Sequence, residues 1–378
     1  MITTFDDIRP YTDDEIPAAM RRIAQSEYLQ PLAKFVFPEK NIEEIKELLN
    51  SFKSIQDFQV GVMYAFNKQV IQKSIENFTY CGFELLDPAK RYLFVSNHRD
   101  IVLDSSLLQN TLYDEGFRTT EISFGNNLMG SQLVIDIGNS NKMFKVARGG
   151  NAREFYENSL RLSQYIRYAI TQKGESIWIA QRNGRTKDGN DATDQGIIKM
   201  FSMSNTQNLI QSLEELNIAP IAVSYQWEPC DIFKTRELYI SRSGEKYVKQ
   251  KDEDLISILT GITQQKGNVH FSICKPLEKE EYLTFANEKP NIFFSKIAGL
   301  VDARIYENYK LWSSNYIAQD LLSGTNQYAQ FYTAEEKEQF MHRLHHALSQ
   351  IEGDKEVISS IYLGIYANPV ENRKIRLQ

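Results

Sequence analysis

Between residues 78 and 276 the chain alternates short apolar runs with stretches of helical spacing, and this alternation limits what it can fold into. The strand-like runs are Tyr80 to Leu86, Tyr92 to Val95, Thr120 to Phe124, Met143 to Val146, Ser176 to Ala180, Ile218 to Tyr225 and Val269 to Cys274. Helical patterns lie between them, near 104–115, 151–173, 206–216 and 252–266. Strands separated by covering helices predict an α/β fold with a mixed, largely parallel sheet.

Helical regions flank this central part. From 1 to 78, Pro10, Pro17, Pro31 and Pro38 cut the pattern into pieces before a longer run from Ile55 to Phe78. After Pro276 helical runs are expected near 290–308, 333–350 and 354–366. The expected organisation is an N-terminal helical region over 1–78, an α/β domain over 79–280 and a C-terminal helical extension over 281–378. Aromatic clusters such as Tyr28, Phe35 and Phe37, or Phe58, Tyr64 and Phe66, are read mainly as core packing, with a lipid-facing surface as the lesser reading.

Composition narrows the class. With 378 residues and 42% hydrophobic content, there is ample material for a buried core. No stretch approaches the roughly 18 unbroken apolar residues of a membrane span, and Met1 to Glu15 resembles no secretory signal, so an intracellular protein is expected. Cys81, Cys230 and Cys274 are odd in number and far apart, which argues for reduced thiols. The net charge is −6, yet Lys142 to Lys187 holds ten Lys or Arg against three acids. A local basic stretch in an acidic protein fits an anionic small molecule or a membrane patch and speaks against nucleic acid. Arg153, Arg161 and Arg167 are assigned to a solvated helix face.

The chemistry is expected at the exit of the second strand, in RYLFVSNHRDIVLDSS from Arg91 to Ser106. His98 follows the apolar run at the position where such sheets usually carry their functional groups. An imidazole there can take a proton from a hydroxyl near neutral pH, with a carboxylate on the other ring nitrogen fixing the tautomer. Asp104 and Asp100 are both candidates for that carboxylate, and either could instead cap the following helix. Two more strand ends carry cations: Arg148 before Gly149 and Gly150, and Arg182, Arg185 and Lys187 around Asn183 and Gly184. Such groups suit a phosphate, with glycines letting backbone approach it. The strand from Ile218, opened by Pro220, is followed by aromatic and acidic residues that would wall the site.

Taken in order, these four segments resemble the glycerolipid acyltransferases, the family of glycerol-3-phosphate and 1-acylglycerol-3-phosphate acyltransferases, over about Phe78 to Pro276. Asn97 and His98 match the first block, Phe144, Val146 and Arg148 the second, and Ile218 to Val223 the fourth. Arg99 is similar to the glycerol-3-phosphate branch. Two departures stand out: the family leaves four residues between His and Asp, whereas Asp104 follows after five and Asp100 after one, and Asn183 stands where the family has Glu beside its Gly.

The resemblance implies acyl transfer in phospholipid biosynthesis, from acyl-CoA or acyl carrier protein to the hydroxyl of glycerol-3-phosphate or 1-acylglycerol-3-phosphate. It implies His98 as base, Asp104 or Asp100 as its partner, and Arg99, Arg148, Arg182, Asn183, Gly184, Arg185 and Lys187 as substrate-binding residues. No cofactor is expected, only the thioester co-substrate, with peripheral contact at the inner face of the cell membrane through the N-terminal helices. Another lysolipid acceptor, such as an amino-acid lipid, is the alternative, as is an acyl- or lipid-binding relative without turnover. His342, His345 and His346 read as a helix flank rather than a zinc site, and Asp188 to Asp194 as a plain loop rather than a calcium loop.

Overall fold

A computed structural model describes residues 4–205, 207–242, 244, 247–250 and 252–377. Residues 1–3, where the expected N-terminal region begins, and Thr206, where a helix is expected to begin, lie outside these. Seven strands form one sheet: β1 (Asn77–Cys81), β2 (Leu93–Ser96), β3 (Glu121–Gly125), β4 (Met143–Val146), β5 (Ile177–Ala180), β6 (Ile218–Tyr225) and β7 (Asn268–Ile273). Their order is β1-β7-β6-β2-β5-β3-β4. All neighbours are parallel except β6 and β7. Strands β2 to β6 therefore end on one edge, with β2 between β5 and β6.

Period-two alternation divides the apolar side chains between two covered faces. Leu93, Val95, Ile177 and Ile179 meet Tyr165 and Ile166 of the Ala152–Tyr168 helix and Phe293, Ile297 and Val301 of the Pro290–Asn308 helix. Phe94, Trp178, Ile221 and Val223 meet Leu107 and Leu108 of the Leu103–Asp114 helix on the other face. Burial on both sides explains why β2 reads as a continuous apolar run. The N-terminal helices enclose their own cluster around Ile16, Met20, Leu49 and Phe58, and the C-terminal helices another around Phe340, Tyr362 and Tyr366.

The structure departs from the expected elements where local signals compete or are absent. The first strand begins at Asn77 and stops at Cys81, because Gly82 adopts φ +90° and turns the chain into a single 3-10 turn over Phe83–Leu85. Helices at Gln132–Ser140, Gln195–Ser202, Asp231–Arg242, Lys279–Leu283 and Ser313–Ser323 were not expected. The Asp231–Arg242 helix buries Asp231, Lys234 and Thr235, so its inward face is polar and no apolar stripe reveals it. The last helix runs over Lys355–Leu377, carried through Pro369.

The loop after β5 is tied to the C-terminal half by hydrogen bonds. Thr193 donates to Asp302 Oδ1 from its backbone N at 2.8 Å and its hydroxyl at 2.5 Å, and Asn368 Nδ2 donates to the Asp188 carbonyl at 2.7 Å. Burial pushes the Asp302 carboxyl up to about 6, against the opposing effect of the Thr193 donors. Folded Asp302 thus holds a proton that the unfolded chain has released above about pH 4, so its contribution to stability falls as pH rises from about 4 to about 6. In urea unfolding across that range, Asp302→Asn is expected to remove about 3 kcal/mol of this pH dependence.

Candidate functional site

β2 ends at Ser96, and the next side chain takes over the pairing that the strand gives up. Asn97 Oδ1 accepts from Val223 N at 2.7 Å, and its Nδ2 donates to Val223 O at 3.0 Å and Asp191 Oδ2 at 3.2 Å. His98 follows, its carbonyl accepting from Thr186 N at 2.8 Å. Its Nδ1 lies 2.9 Å from Asp104 Oδ2, and the edge of the ring meets Trp178, with centroids 5.7 Å apart. The imidazole keeps 11% of its surface open, and its Nε2 has no hydrogen bond among the described residues.

Asp104 lies in the first turn of the Leu103–Asp114 helix and is buried. Besides His98, its Oδ2 accepts from Arg99 N at 2.6 Å and Asp100 N at 2.9 Å, and its Oδ1 accepts from the Tyr225 hydroxyl at 2.8 Å. A carboxylate in this setting is an acceptor only, so His98 Nδ1 carries the hydrogen and Nε2 presents the lone pair.

Asp100 does something else: its Oδ1 accepts from Val102 N and Leu103 N, capping the helix. Its Oδ2 presses on the Glu253–Thr263 helix, where a Cβ on Gly261 would stand 2.1 Å away. Burial, and then the neighbouring Asp104, push the Asp100 carboxyl up. Of the two carboxylates that the spacing leaves open, the structure places Asp104 on the imidazole and Asp100 at the helix cap.

The expected cations divide by environment. Arg99 is 1% exposed, with its guanidinium 2.5 Å from Asp191 Oδ2 and 3.0 Å from Glu228 Oε2. This corrects the expectation that Arg99 grips a substrate: its charge is satisfied inside the protein, with no open face. Lys187 pairs with Glu237, and burial lowers its pKa. Arg182 Nη1 reaches the Asn190 carbonyl at 3.4 Å, Asn183 is exposed, and Gly184 takes φ +78°. Arg185 is half-buried, its Nη1 has no hydrogen-bond partner, and it lies within electrostatic reach of Asp100 and Cys230. Arg148 is exposed and folds over Gly125 at the end of β3, where a Cβ would stand 2.8 Å from Nε.

Sequence reasoning missed Tyr225, Asp191, Glu228, Lys234 and Trp178. Tyr225 and Glu228 stand in the segment read as a wall, and Asp191 in the loop read as plain. All are buried polar or aromatic groups, and apart from the Lys234–Glu228 pair, six residues apart, their partners are distant in the chain, so spacing carries little trace of the pairing. Among the described residues no three His, Cys, Asp or Glu side chains gather as a metal site, and His342, His345 and His346 are exposed on the Ala334–Gln350 helix. No helix of the described residues is long and apolar enough to cross a membrane. One surface concavity lies among N-terminal residues such as Arg21, Gln25, Lys46 and Asn50, and His98 does not line it.

No family model matches the chain, and no curated protein matches it in sequence. Among solved structures it is similar to the 1-acyl-sn-glycerophosphate acyltransferase PlsC from Thermotoga maritima, at 13% identity and a TM-score of 0.38, over 77% of this chain and 91% of that one.

Removing the Asp104 carboxylate strands two backbone N–H groups, a tyrosine hydroxyl and the imidazole, all buried. Asp104→Ala is therefore expected to cost about 3 kcal/mol or more in denaturant unfolding. Asp100→Ala, which removes a helix cap, is expected to cost about 1–2 kcal/mol. An equal or reversed ranking would contradict the division of labour between the two carboxylates.

Proposed function

We propose that the protein is an O-acyltransferase that moves an acyl group from a thioester, acyl-CoA or acyl carrier protein, to the hydroxyl of glycerol-3-phosphate or 1-acylglycerol-3-phosphate. The observation that carries the reading is the His98 imidazole at the end of β2, held at Nδ1 by Asp104 and open at Nε2. A base built this way takes a proton from something that enters, and the resemblance of the surrounding segments to glycerolipid acyltransferases supports a hydroxyl as that group.

In this reading the acceptor hydroxyl gives its proton to His98 Nε2 as its oxygen attacks the thioester carbonyl. The resulting tetrahedral species collapses by breaking the C–S bond. The departing thiolate takes the proton back from the imidazolium or leaves as the anion, since thiols ionise near 8.5. Asp104 stabilises the imidazolium without accepting the proton itself. No residue is acylated, so acyl transfer proceeds in a single displacement. Arg185, with an unpartnered Nη1, and the exposed Arg148 are the cations left to hold an acceptor phosphate. Fixing the phosphate places the hydroxyl at Nε2, and such positioning supplies much of a bimolecular acceleration.

The test is thiol release from acyl-CoA and from acyl carrier protein, measured across phosphorylated and unphosphorylated acceptors. Release is expected only with a phosphorylated glycerol acceptor, and His98→Ala is expected to lower kcat by about 10²- to 10⁴-fold without unfolding the protein. Arg185→Ala is expected to act chiefly on the apparent KM for the acceptor. Wild-type activity in His98→Ala, or no thiol release with any acceptor, would overturn the reading. Equal turnover of an unphosphorylated lysolipid would overturn the acceptor.

A further inference from the structure

One residue beyond His98, four buried charged side chains form a closed cluster that the proposed chemistry does not use. Arg99 comes from the β2 exit, Asp191 from the loop after β5, Glu228 from the end of β6, and Lys234 from the Asp231–Arg242 helix; none exceeds 3% exposure. Arg99 bridges Asp191 and Glu228, while Lys234 Nζ donates to Glu228 Oε1 at 2.5 Å. Two cations and two carboxylates balance. Burying such a set is a poor source of stability, because desolvation offsets most of the mutual attraction and apolar side chains of the same volume would serve as well. What the cluster does supply is fixed geometry.

Lys234 shows where that geometry is directed. Its Nζ also donates to the Arg99 carbonyl at 2.8 Å, while the Arg99 N–H donates to Asp104 Oδ2 at 2.6 Å. The residue that follows the imidazole is thus held at both of its peptide groups, by Lys234 on one side and by the carboxylate that orients His98 on the other. We infer that Lys234 is a positioning residue, which through the Arg99 peptide keeps the Asp104 carboxylate on Nδ1 and so keeps Nε2 of His98 as the acceptor. The inference rests on the reading of His98 as the base. It gives a positioning role to a helix that none of the four motif segments includes.

The experiment is ¹⁵N NMR of histidine-labelled protein, with the His98 ring signals assigned by comparison with His98→Gln. Wild type is expected to show the Nδ1–H tautomer. Lys234→Met is expected to show a mixture of tautomers, and Lys234→Arg to restore the wild-type signals at least in part. In acyl transfer, Lys234→Met is expected to lower kcat by roughly 10²-fold with little change in the acceptor KM, as a small misplacement of a catalytic group does. Should Lys234→Met fail to fold, Glu228→Gln, which keeps the side-chain shape and removes one charge of the cluster, gives the same readout. Unchanged His98 signals in folded Lys234→Met, or in Glu228→Gln where it stands in for Lys234→Met, overturn the inference. Because the ring signals need no substrate, absence of turnover in wild type would overturn the proposed function and leave this test standing.

Discussion

One carboxylate gathers the site. Asp104 accepts four hydrogen bonds, from a histidine ring, a tyrosine hydroxyl and two consecutive backbone N–H groups. The two backbone bonds fold residues 99–104 into a tight turn at the start of a helix, and the tyrosine bond ties that turn to β6. Asp104 stands in the first turn of that helix, where an acidic side chain suits the N-terminal dipole. The orientation of His98 is therefore a consequence of the turn, the helix and the sheet together, and the ring can leave its place only if these part.

The surroundings of the turn come largely from chain that follows the strand ends of the sheet. Glu228 has its backbone N–H on the Tyr366 hydroxyl at 3.1 Å, and Tyr366 and Tyr362 both donate to Asp231 Oδ2. Gly189, at φ +79°, lies so close to the last helix that a Cβ would stand 2.1 Å from the Ile365 carbonyl. The C-terminal helices are therefore part of the site's support. Their contacts reach Glu228 and the loop that carries Asp191, and these two acids hold the Arg99 guanidinium.

Much of this architecture was legible in the sequence, for physical reasons that differ between elements. β2, β5 and β6 were readable because a strand buried on both faces has to be largely apolar. His98 was readable because it follows one of those runs directly. The choice between Asp100 and Asp104 was not, since both are short acids near a helix start and the decision depends on which oxygen meets the imidazole in space. Arg99 was misread for the same reason: a cation beside a candidate base invites a ligand, and nothing local announces two buried acids some 90 and 130 residues away. The Asp231–Arg242 helix escaped notice because its buried face carries Lys234 and Asp231 in place of leucines.

Asn97 carries a consequence for motion. Its side-chain amide exchanges both hydrogen bonds with the Val223 peptide, as a strand residue's backbone would, while its own backbone is free to turn away. The sheet is in effect extended by a side chain at the point where the main chain leaves it. The backbone that bears His98 is thereby clamped to the central layer of the molecule instead of riding on a loop. A rearrangement of the neighbouring loops would therefore move them against an imidazole whose place is set by the sheet.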